Sequence, residues 1–204
     1  GAAARFKAAS ESHSGFALAH ARMALSYSAQ GFDAEAQRAS TRAVELSEPL
    51  APADRYFVLA TDASIRNDAD KAIEYYRQLV EAAPSDTAMR FELASLLEGS
   101  GDPEGAREQL NKVLAADPKY VNALLAAGRV EIKRGSPQTS LDSLNSALTL
   151  AVQLGNDHAK GDILQAIGVA YKNLDKPEDA LRHYLDAVEI RRRVGVRAGM
   201  VARV

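Results

Sequence analysis

Histidine is the residue type in this chain with the widest chemical range, since imidazole can bind a metal or carry a proton near neutral pH. The four histidines are His13, His20, His158 and His183. No two of them stand four residues apart, the spacing that places two metal ligands on one helix face. The chain has no cysteine, so disulfides, thiolate metal sites and cysteine nucleophiles are excluded. We predict neither a metal site nor a cofactor.

A second candidate for chemistry is the glycine-rich segment 99–105, which includes Gly99, Gly101 and Gly105. A phosphate-binding loop needs a lysine and a hydroxyl residue after its last glycine, and a strand before its first. This segment has none of these features, so we interpret it as a turn between helices. Carboxylates are numerous, but no pocket that pairs two of them can be argued from the sequence. We predict no catalytic residue and no enzymatic activity.

The run Arg191, Arg192 and Arg193 is the most basic part of the chain. No aromatic residues lie nearby to stack on bases, as single-stranded nucleic acid would require. Cations are favoured at the carboxyl end of a helix, and this is the simpler explanation of the run. The net charge of −2 and the lack of an 18-residue apolar run give no reason to expect nucleic-acid or membrane binding. We expect a cytoplasmic protein.

The elements that carry these residues repeat along the chain with a period of 34. Pairs of identical residues at this spacing are Ala60 and Ala94, Ala72 and Ala106, Pro84 and Pro118, and Gly101 and Gly135. Such a period indicates a repeat array, in which each unit buries its apolar face only against its neighbours. Hydrophobic residues make up 47% of the chain but aromatic residues only 6%, and no convincing strand pattern is present. We predict an all-α array of helix pairs.

The stretch 87–120 shows the repeating unit. Its first helix is expected to break at Gly101, where Asp102 can cap the next helix and Pro103 suits its first position. The second helix is expected to stop at Asp117, because proline at 118 disfavours helix in the residue before it.

Small residues recur inside these helices. The first helices carry Ala24, Ala60, Ala94, Gly128 and Gly168, and the second helices carry Ala36, Ala72, Ala106, Ser140 and Ala180. In this pattern the chain resembles the tetratricopeptide repeat (TPR) family, with the two helices crossing at the small residues. It departs from the pattern at Ser40, where an aromatic is usual, and at Glu131, where a large apolar residue is usual. We expect Glu131 to tilt to the surface, since a buried Glu131 would need a partner such as Arg129 or Lys133.

The resemblance implies a right-handed α-α superhelix, a TPR solenoid of about five repeats with partial repeats at both ends. We predict a single array over 1–204. Its parts are a second helix of a partial repeat (1–16), repeats at 17–52, 53–86, 87–120, 121–160 and 161–200, and the start of a truncated repeat (201–204). The last two repeats have 40 residues, like the extended form in kinesin light chains and bacterial signalling proteins. The segments 154–157 and 194–197 lie 40 residues apart, the spacing that resembles this extended form.

In TPR proteins the first helices line a concave groove. The resemblance therefore implies inner rows that contain Glu98, Ile132, Gln165 and Val169, among others. From these rows we predict a protein or peptide partner, and the basic residues favour one with an acidic stretch. The predicted groove residues are Phe57, Phe91, Leu125, Arg129, Lys133, Lys172 and Asn173. Two alternatives stay open: a regulatory or sensor region of a larger signalling enzyme or transcription regulator, and end-to-end self-association.

Overall fold

The computed structural model describes residues 16–201, with side chains for 16–195. This part of the chain consists of α-helices joined by short turns and contains no strand, so the predicted all-α class is confirmed. The helices are α1 (Ala17–Ser28), α2 (Asp33–Glu45), α3 (Pro52–Ile65), α4 (Ala69–Ala82), α5 (Thr87–Ser100), α6 (Pro103–Ala116), α7 (Val121–Lys133), α8 (Pro137–Gln153), α9 (Asp157–Asn173) and α10 (Pro177–Val201).

Each odd-numbered helix is joined to the next helix by a turn that contains one residue with positive φ. These residues are Gly31, Asn67, Gly101, Gly135 and Asp175. Left-handed backbone ends a helix cleanly, and glycine, asparagine and aspartate adopt it at the lowest cost. Asp102 then caps α6 as predicted, because its Oδ1 accepts a hydrogen bond from the Gly105 amide at 2.8 Å. Local sequence therefore sets these helix boundaries.

The small residues of the repeat pattern are all buried. A Cβ added to Gly128 on α7 would lie 2.5 Å from Cγ of Leu144 on α8. A Cβ added to Gly168 on α9 would lie 2.5 Å from the Tyr184 ring on α10. Leu144 and Tyr184 each stand one helical turn after the small residue of the second helix. The first-helix glycine thus makes room for a large side chain rather than for another small one.

The chain divides into two compact units, an N-terminal unit that ends at Leu96 and a C-terminal unit that begins at Leu97. In the N-terminal unit, α1 packs on α2, α3 on α4, and α3 also contacts α1 and α2. Its buried residues include Ala21, Ala43 and Val58. Burial raises the pKa of Tyr76 to about 12, with a smaller contribution from the charge of Glu92.

In the C-terminal unit, consecutive helices from α7 to α10 pack on one another, and α7 also contacts α9. Its core contains fully buried Leu144, Ile163 and Ile167. The first helices α7 and α9 are therefore neighbours, which places their exposed faces side by side.

Ser40 stands where the family pattern has an aromatic side chain, and in the structure this serine makes a hydrogen bond to a neighbouring helix. Its hydroxyl is fully buried and donates a hydrogen bond of 2.7 Å to Oδ1 of Asp62 on α3. The other oxygen of Asp62 accepts a 2.8 Å bond from Nε of Arg66. A buried hydroxyl with a partner costs little, whereas an unpaired one would destabilise the fold.

The C-terminal end differs from the expectation. α10 continues without a break to Val201, so 194–197 is not the inter-repeat turn that 154–157 is. The earlier turn has Gly155 at φ 62° and a cap from Asn156, which accepts a hydrogen bond from the Ala159 amide. The later segment, Val-Gly-Val-Arg, has glycine but no such capping side chain. The predicted helix start at 201–204 is wrong at Val201, and 202–204 lie outside the described residues.

The explanation of residues 191–193 by the helix dipole is also wrong. The run lies eight residues or more before the end of α10, and the dipole acts only within the last turn. The arginines make side-chain ion pairs instead, described below. The predicted partial-repeat helix at 1–16 falls almost wholly on residues 1–15, which are outside the described part of the chain.

Candidate partner-binding site

The predicted groove residues fall in both units. Phe57 and Phe91 belong to the N-terminal unit, and the other five belong to the C-terminal unit. Phe57 is half-buried against the core of its unit, and the guanidinium of Arg22 lies 5.8 Å from its ring centre. Leu125 is half-buried and packs on the core of the C-terminal unit. These two side chains therefore contribute to the packing of their own units.

A concave pocket of about 480 Å³ lies in the C-terminal unit between α7 and α9. Its lining residues are Arg129, Ile132, Lys133, Asp162, Gln165, Ala166 and Val169. Their spacing of three and four residues places them on one face of each helix. The pocket joins Arg129 and Lys133 with Ile132, Gln165 and Val169 from the inner rows, whereas Lys172 and Asn173 are exposed and are not among its lining residues.

Glu98, near the end of α5, faces the two cations of this pocket. Nζ of Lys133 lies 3.0 Å from Oε1 of Glu98 and donates a 3.0 Å hydrogen bond to the Glu98 backbone carbonyl. Nε of Arg129 lies 3.7 Å from the same carboxylate oxygen. The Glu98 side chain is 12% exposed, whereas Arg129 and Lys133 are 58% and 48% exposed. One carboxylate thus anchors two cations whose remaining donors face solvent.

Sequence reasoning placed Glu98 in an inner row but did not include it among the groove residues. The available signal was its distance of 35 residues from Lys133, about one repeat, combined with its opposite charge. Asp162 and Ala166 were also missed, because they flank the predicted row positions on α9.

The outer side of the pocket is held by Arg191 on α10. Its Nη2 donates a 2.8 Å hydrogen bond to Oδ1 of Asp162 and a second bond to Oε1 of Gln165. A Cβ added to Gly161 would lie 3.4 Å from Cγ of Arg191, an ordinary van der Waals distance, so the arginine stem passes over α9 at this glycine. Arg191 therefore fixes the orientation of two pocket side chains.

Glu131 lies on α7 and its side chain is 12% exposed. Its partners are Arg134, whose Nη1 lies 2.8 and 3.0 Å from the two carboxylate oxygens, and Arg107 on α6, whose Nε lies at 3.3 Å. Arg134 also donates to both oxygens of Glu104 at 2.9 Å. The expected surface position of Glu131 is therefore wrong. Its partners are not the expected Arg129 and Lys133, because these two side chains face Glu98 and the pocket instead.

His20 and His183 are half-buried, and the Nδ1 of each is buried with no hydrogen-bond partner among residues 16–195. Burial, followed by the charge of Arg42, lowers the pKa of His20. Burial, followed by the charge of Arg182, lowers the pKa of His183, while Asp186 and Asp179 oppose the shift. The His183 ring stacks on Tyr171 with centroids 5.3 Å apart. These two histidines are packed between helices.

The free energy of unfolding is expected to fall as the pH is lowered from about 7 to about 5. Both imidazoles have a lower pKa in the folded chain, so the unfolded chain takes up protons first. The stability that they contribute is complete above about pH 6.5 and is lost as the pH falls through their lowered folded values. Urea unfolding across this range should show a smaller decline for the His20→Gln/His183→Gln variant. An equal decline in wild type and variant would contradict this expectation.

Within residues 16–201, His, Asp and Glu side chains form no group of three that could hold a metal ion. In the same stretch, no helix combines the length and the apolar composition needed to cross a membrane.

Comparison with known proteins adds to this picture. Two tetratricopeptide repeat family models match the chain, one over residues 65–128 and the other over 120–193, and together they span more than half of it. A cattle (Bos taurus) protein, BBSome complex member BBS4, is 34% identical over 86 residues, which are 42% of this chain and 17% of that protein. The chain thus matches less than a fifth of this relative's length.

Several solved structures share the fold. MamA from Desulfovibrio magneticus RS-1 (41-end) superposes with a TM-score of 0.67 at 16% identity, covering 87% of this chain and 96% of that one. MamA of MSR-1 gives 0.66 at 19% identity, with 87% and 98% covered. YrrB, described as a TPR protein with an unusual peptide-binding site, gives 0.61 at 18% identity, with 91% of each chain covered. At these identities the likeness shows the fold alone.

Proposed function

We propose that this chain, which belongs to the tetratricopeptide repeat family, binds an extended segment of a partner protein in the pocket between α7 and α9. A general role as a protein–protein interaction scaffold follows from the family. The finer assignment, to an acidic peptide segment in this pocket, rests on the pocket's own geometry. YrrB's description as peptide-binding and BBS4's membership of a complex agree with it.

The observation that carries the proposal is the pair of half-exposed cations Arg129 and Lys133 beside apolar pocket walls. Each side chain is oriented by Glu98, so less conformational freedom is lost when a ligand carboxylate binds. Guanidinium and ammonium groups make charge-assisted hydrogen bonds to carboxylates, which are stronger than neutral ones. A peptide with an acidic side chain or a terminal carboxylate satisfies these donors.

Apolar contacts complete the recognition. Ile132 and Val169 are half-buried, and Ala166 lies between the two helices, so the pocket offers apolar surface next to the cations. Burial of an aliphatic side chain contributes about 1.5–3 kcal/mol when it is complete. The ligand expected here therefore has a carboxylate one or two residues away from a leucine-like or valine-like side chain.

A phage-displayed library of random dodecapeptides, selected on the purified chain, tests this specificity. We expect selected peptides to be enriched in aspartate or glutamate next to an aliphatic residue. Arg129→Gln/Lys133→Gln should weaken binding of a selected peptide by about 10-fold or more in fluorescence anisotropy, since two charge-assisted bonds are lost. Selection of basic or uncharged peptides would overturn the assignment.

A matched control removes two positive charges elsewhere in the same unit. Lys112→Gln/Lys119→Gln alters exposed lysines that do not line the pocket, so peptide affinity should change less than about 3-fold. Circular dichroism melts of both variants verify the fold. Equal losses in the two variants would mean that general charge, and not this pocket, holds the peptide.

Three expectations from the sequence stay predictions. They are a regulatory or sensor role within a larger signalling enzyme or transcription regulator, end-to-end self-association, and a cytoplasmic location.

A further inference from the structure

The outward face of α10 carries an apolar row of three large side chains. Leu181, Leu185 and Val188 are 57%, 60% and 61% exposed and follow one another at intervals of four and three residues. The opposite face of the helix packs inward, with Ala180, Ala187 and Ile190 buried. Contiguous exposed apolar side chains on one helix face are uncommon in monomers and mark interaction surfaces.

The second helix of the preceding repeat, α8, has residues at the equivalent positions, and their burial can be compared with that of the row on α10. Counting back 40 residues, Leu181 corresponds to Leu141 and Val188 to Leu148, both on α8. Leu141 is 6% exposed, and Leu148 packs against the cluster that contains Leu164 and Ile190. These two positions of the second helix therefore pack within the C-terminal unit, whereas Asn145, the equivalent of Leu185, is exposed.

Charge is distributed unevenly along the same helix. The first turn of α10 contains Glu178 and Asp179, whereas Arg191, Arg192 and Arg193 follow about three turns beyond Leu181. Existing pairs along the surface, Arg182 with Asp179 at 2.9 Å and Arg192 with Glu189 at 3.1 Å, are exposed. Pairs of that kind contribute little and can rearrange when a partner binds.

We propose that a second copy of this chain covers the row, with the two α10 helices packed antiparallel around a two-fold axis at Leu185. Glu178 precedes Leu185 by seven residues and Arg192 follows it by seven. An antiparallel pairing centred there places Glu178 of one copy beside Arg192 of the other, twice by symmetry. It also places Leu181 of one copy level with Glu189 of the other, next to Val188. A parallel pairing would bring like charges together, so charge complementarity selects the antiparallel arrangement.

The dimer is expected to be weak and reversible. Three apolar side chains and their flanking charges cover less than the roughly 1,200–2,000 Å² of a stable interface. The face lies on α10, whereas the pocket is lined from α7 and α9, so dimerisation and peptide binding are separate properties. The dimer does not depend on the function proposed above.

Sedimentation velocity over a range from about 1 µM to about 500 µM tests the proposal, since a weak dimer forms in this range. We expect the wild-type mass average to rise from monomer toward dimer. Leu185→Glu should keep the chain monomeric throughout, because two glutamates would meet at the two-fold axis. Val152→Glu changes a residue on α8 that is 55% exposed and should dimerise like wild type. A wild-type chain that stays monomeric overturns the proposal, as does a Leu185→Glu variant that still dimerises.

Charge exchange tests the orientation. Glu178→Arg and Arg192→Glu should each shift dimerisation to concentrations at least about 5-fold higher, because each creates two like-charge contacts. The double variant exchanges both charges and should return to wild-type behaviour. Failure of the double variant to recover would overturn the antiparallel pairing. The Arg129→Gln/Lys133→Gln variant should dimerise normally.

Discussion

Leu144→Ala is expected to lower the free energy of unfolding by about 2–5 kcal/mol, the usual loss for a leucine truncated in a packed core. Leu144 is fully buried on α8, in the cluster that contains Ile163 and Ile167. Its side chain occupies the space opposite Gly128, so truncation leaves a cavity at the α7–α8 crossing. Urea unfolding followed by circular dichroism measures the loss.

Gly128→Ala tests the same contact from the other helix. Alanine has a better helix propensity than glycine by about 1 kcal/mol. The new Cβ would however lie 2.5 Å from Cγ of Leu144, whose side chain is fully buried. We expect the crowding to prevail, with a net loss of about 1–3 kcal/mol. In the double variant with Leu144→Ala, the new methyl group enters the vacated space, so the combined loss should be smaller than the sum.

A control separates crowding from propensity. Gly99→Ala adds a methyl group near the end of α5, where nothing lies within 4 Å of the new Cβ. It should leave stability unchanged or raise it by up to about 1 kcal/mol. Losses from Gly128→Ala and Leu144→Ala that add to within about 0.5 kcal/mol would show that the two side chains do not share this space.

Glu131→Gln is expected to lower the free energy of unfolding by about 1–3 kcal/mol, the cost of removing one partner of a mostly buried, charge-assisted interaction. The carboxylate accepts from Arg134 and lies 3.3 Å from Arg107, and its side chain is 12% exposed. The amide of glutamine keeps one acceptor oxygen but introduces two donors that face guanidinium groups. Thermal unfolding gives the change.

The matched change Glu108→Gln affects an ion pair with Lys112 in which the glutamate is 64% exposed. Exposed pairs of this kind are worth about 0.2–1 kcal/mol, so the loss should be several times smaller. Equal losses of unfolding free energy from Glu108→Gln and Glu131→Gln would show that burial does not strengthen the interactions of Glu131 with Arg134 and Arg107.

Much of the architecture was predictable from the sequence, because the deciding interactions act over a few residues. A helix ends where Gly101 adopts positive φ, and the next begins where Asp102 caps and proline follows. The expected helix start at 201 failed because it followed the 40-residue spacing alone. Helix α10 contains Gly195 and continues without a break to Val201.

The sequence by itself determined the helix class, the hairpin turns and the buried positions of the small residues. It could not determine which charged side chains pair. The partners in three of these pairs are separated by 24 to 35 residues along the chain. The pairs are Glu98 with Lys133, Glu131 with Arg107, and Asp162 with Arg191. Coulomb energy depends on the distance between charges and on their burial, and both are set by how α5, α6, α7, α9 and α10 pack. Only the tertiary structure therefore decided that Glu98, and not solvent alone, faces the cations of the pocket.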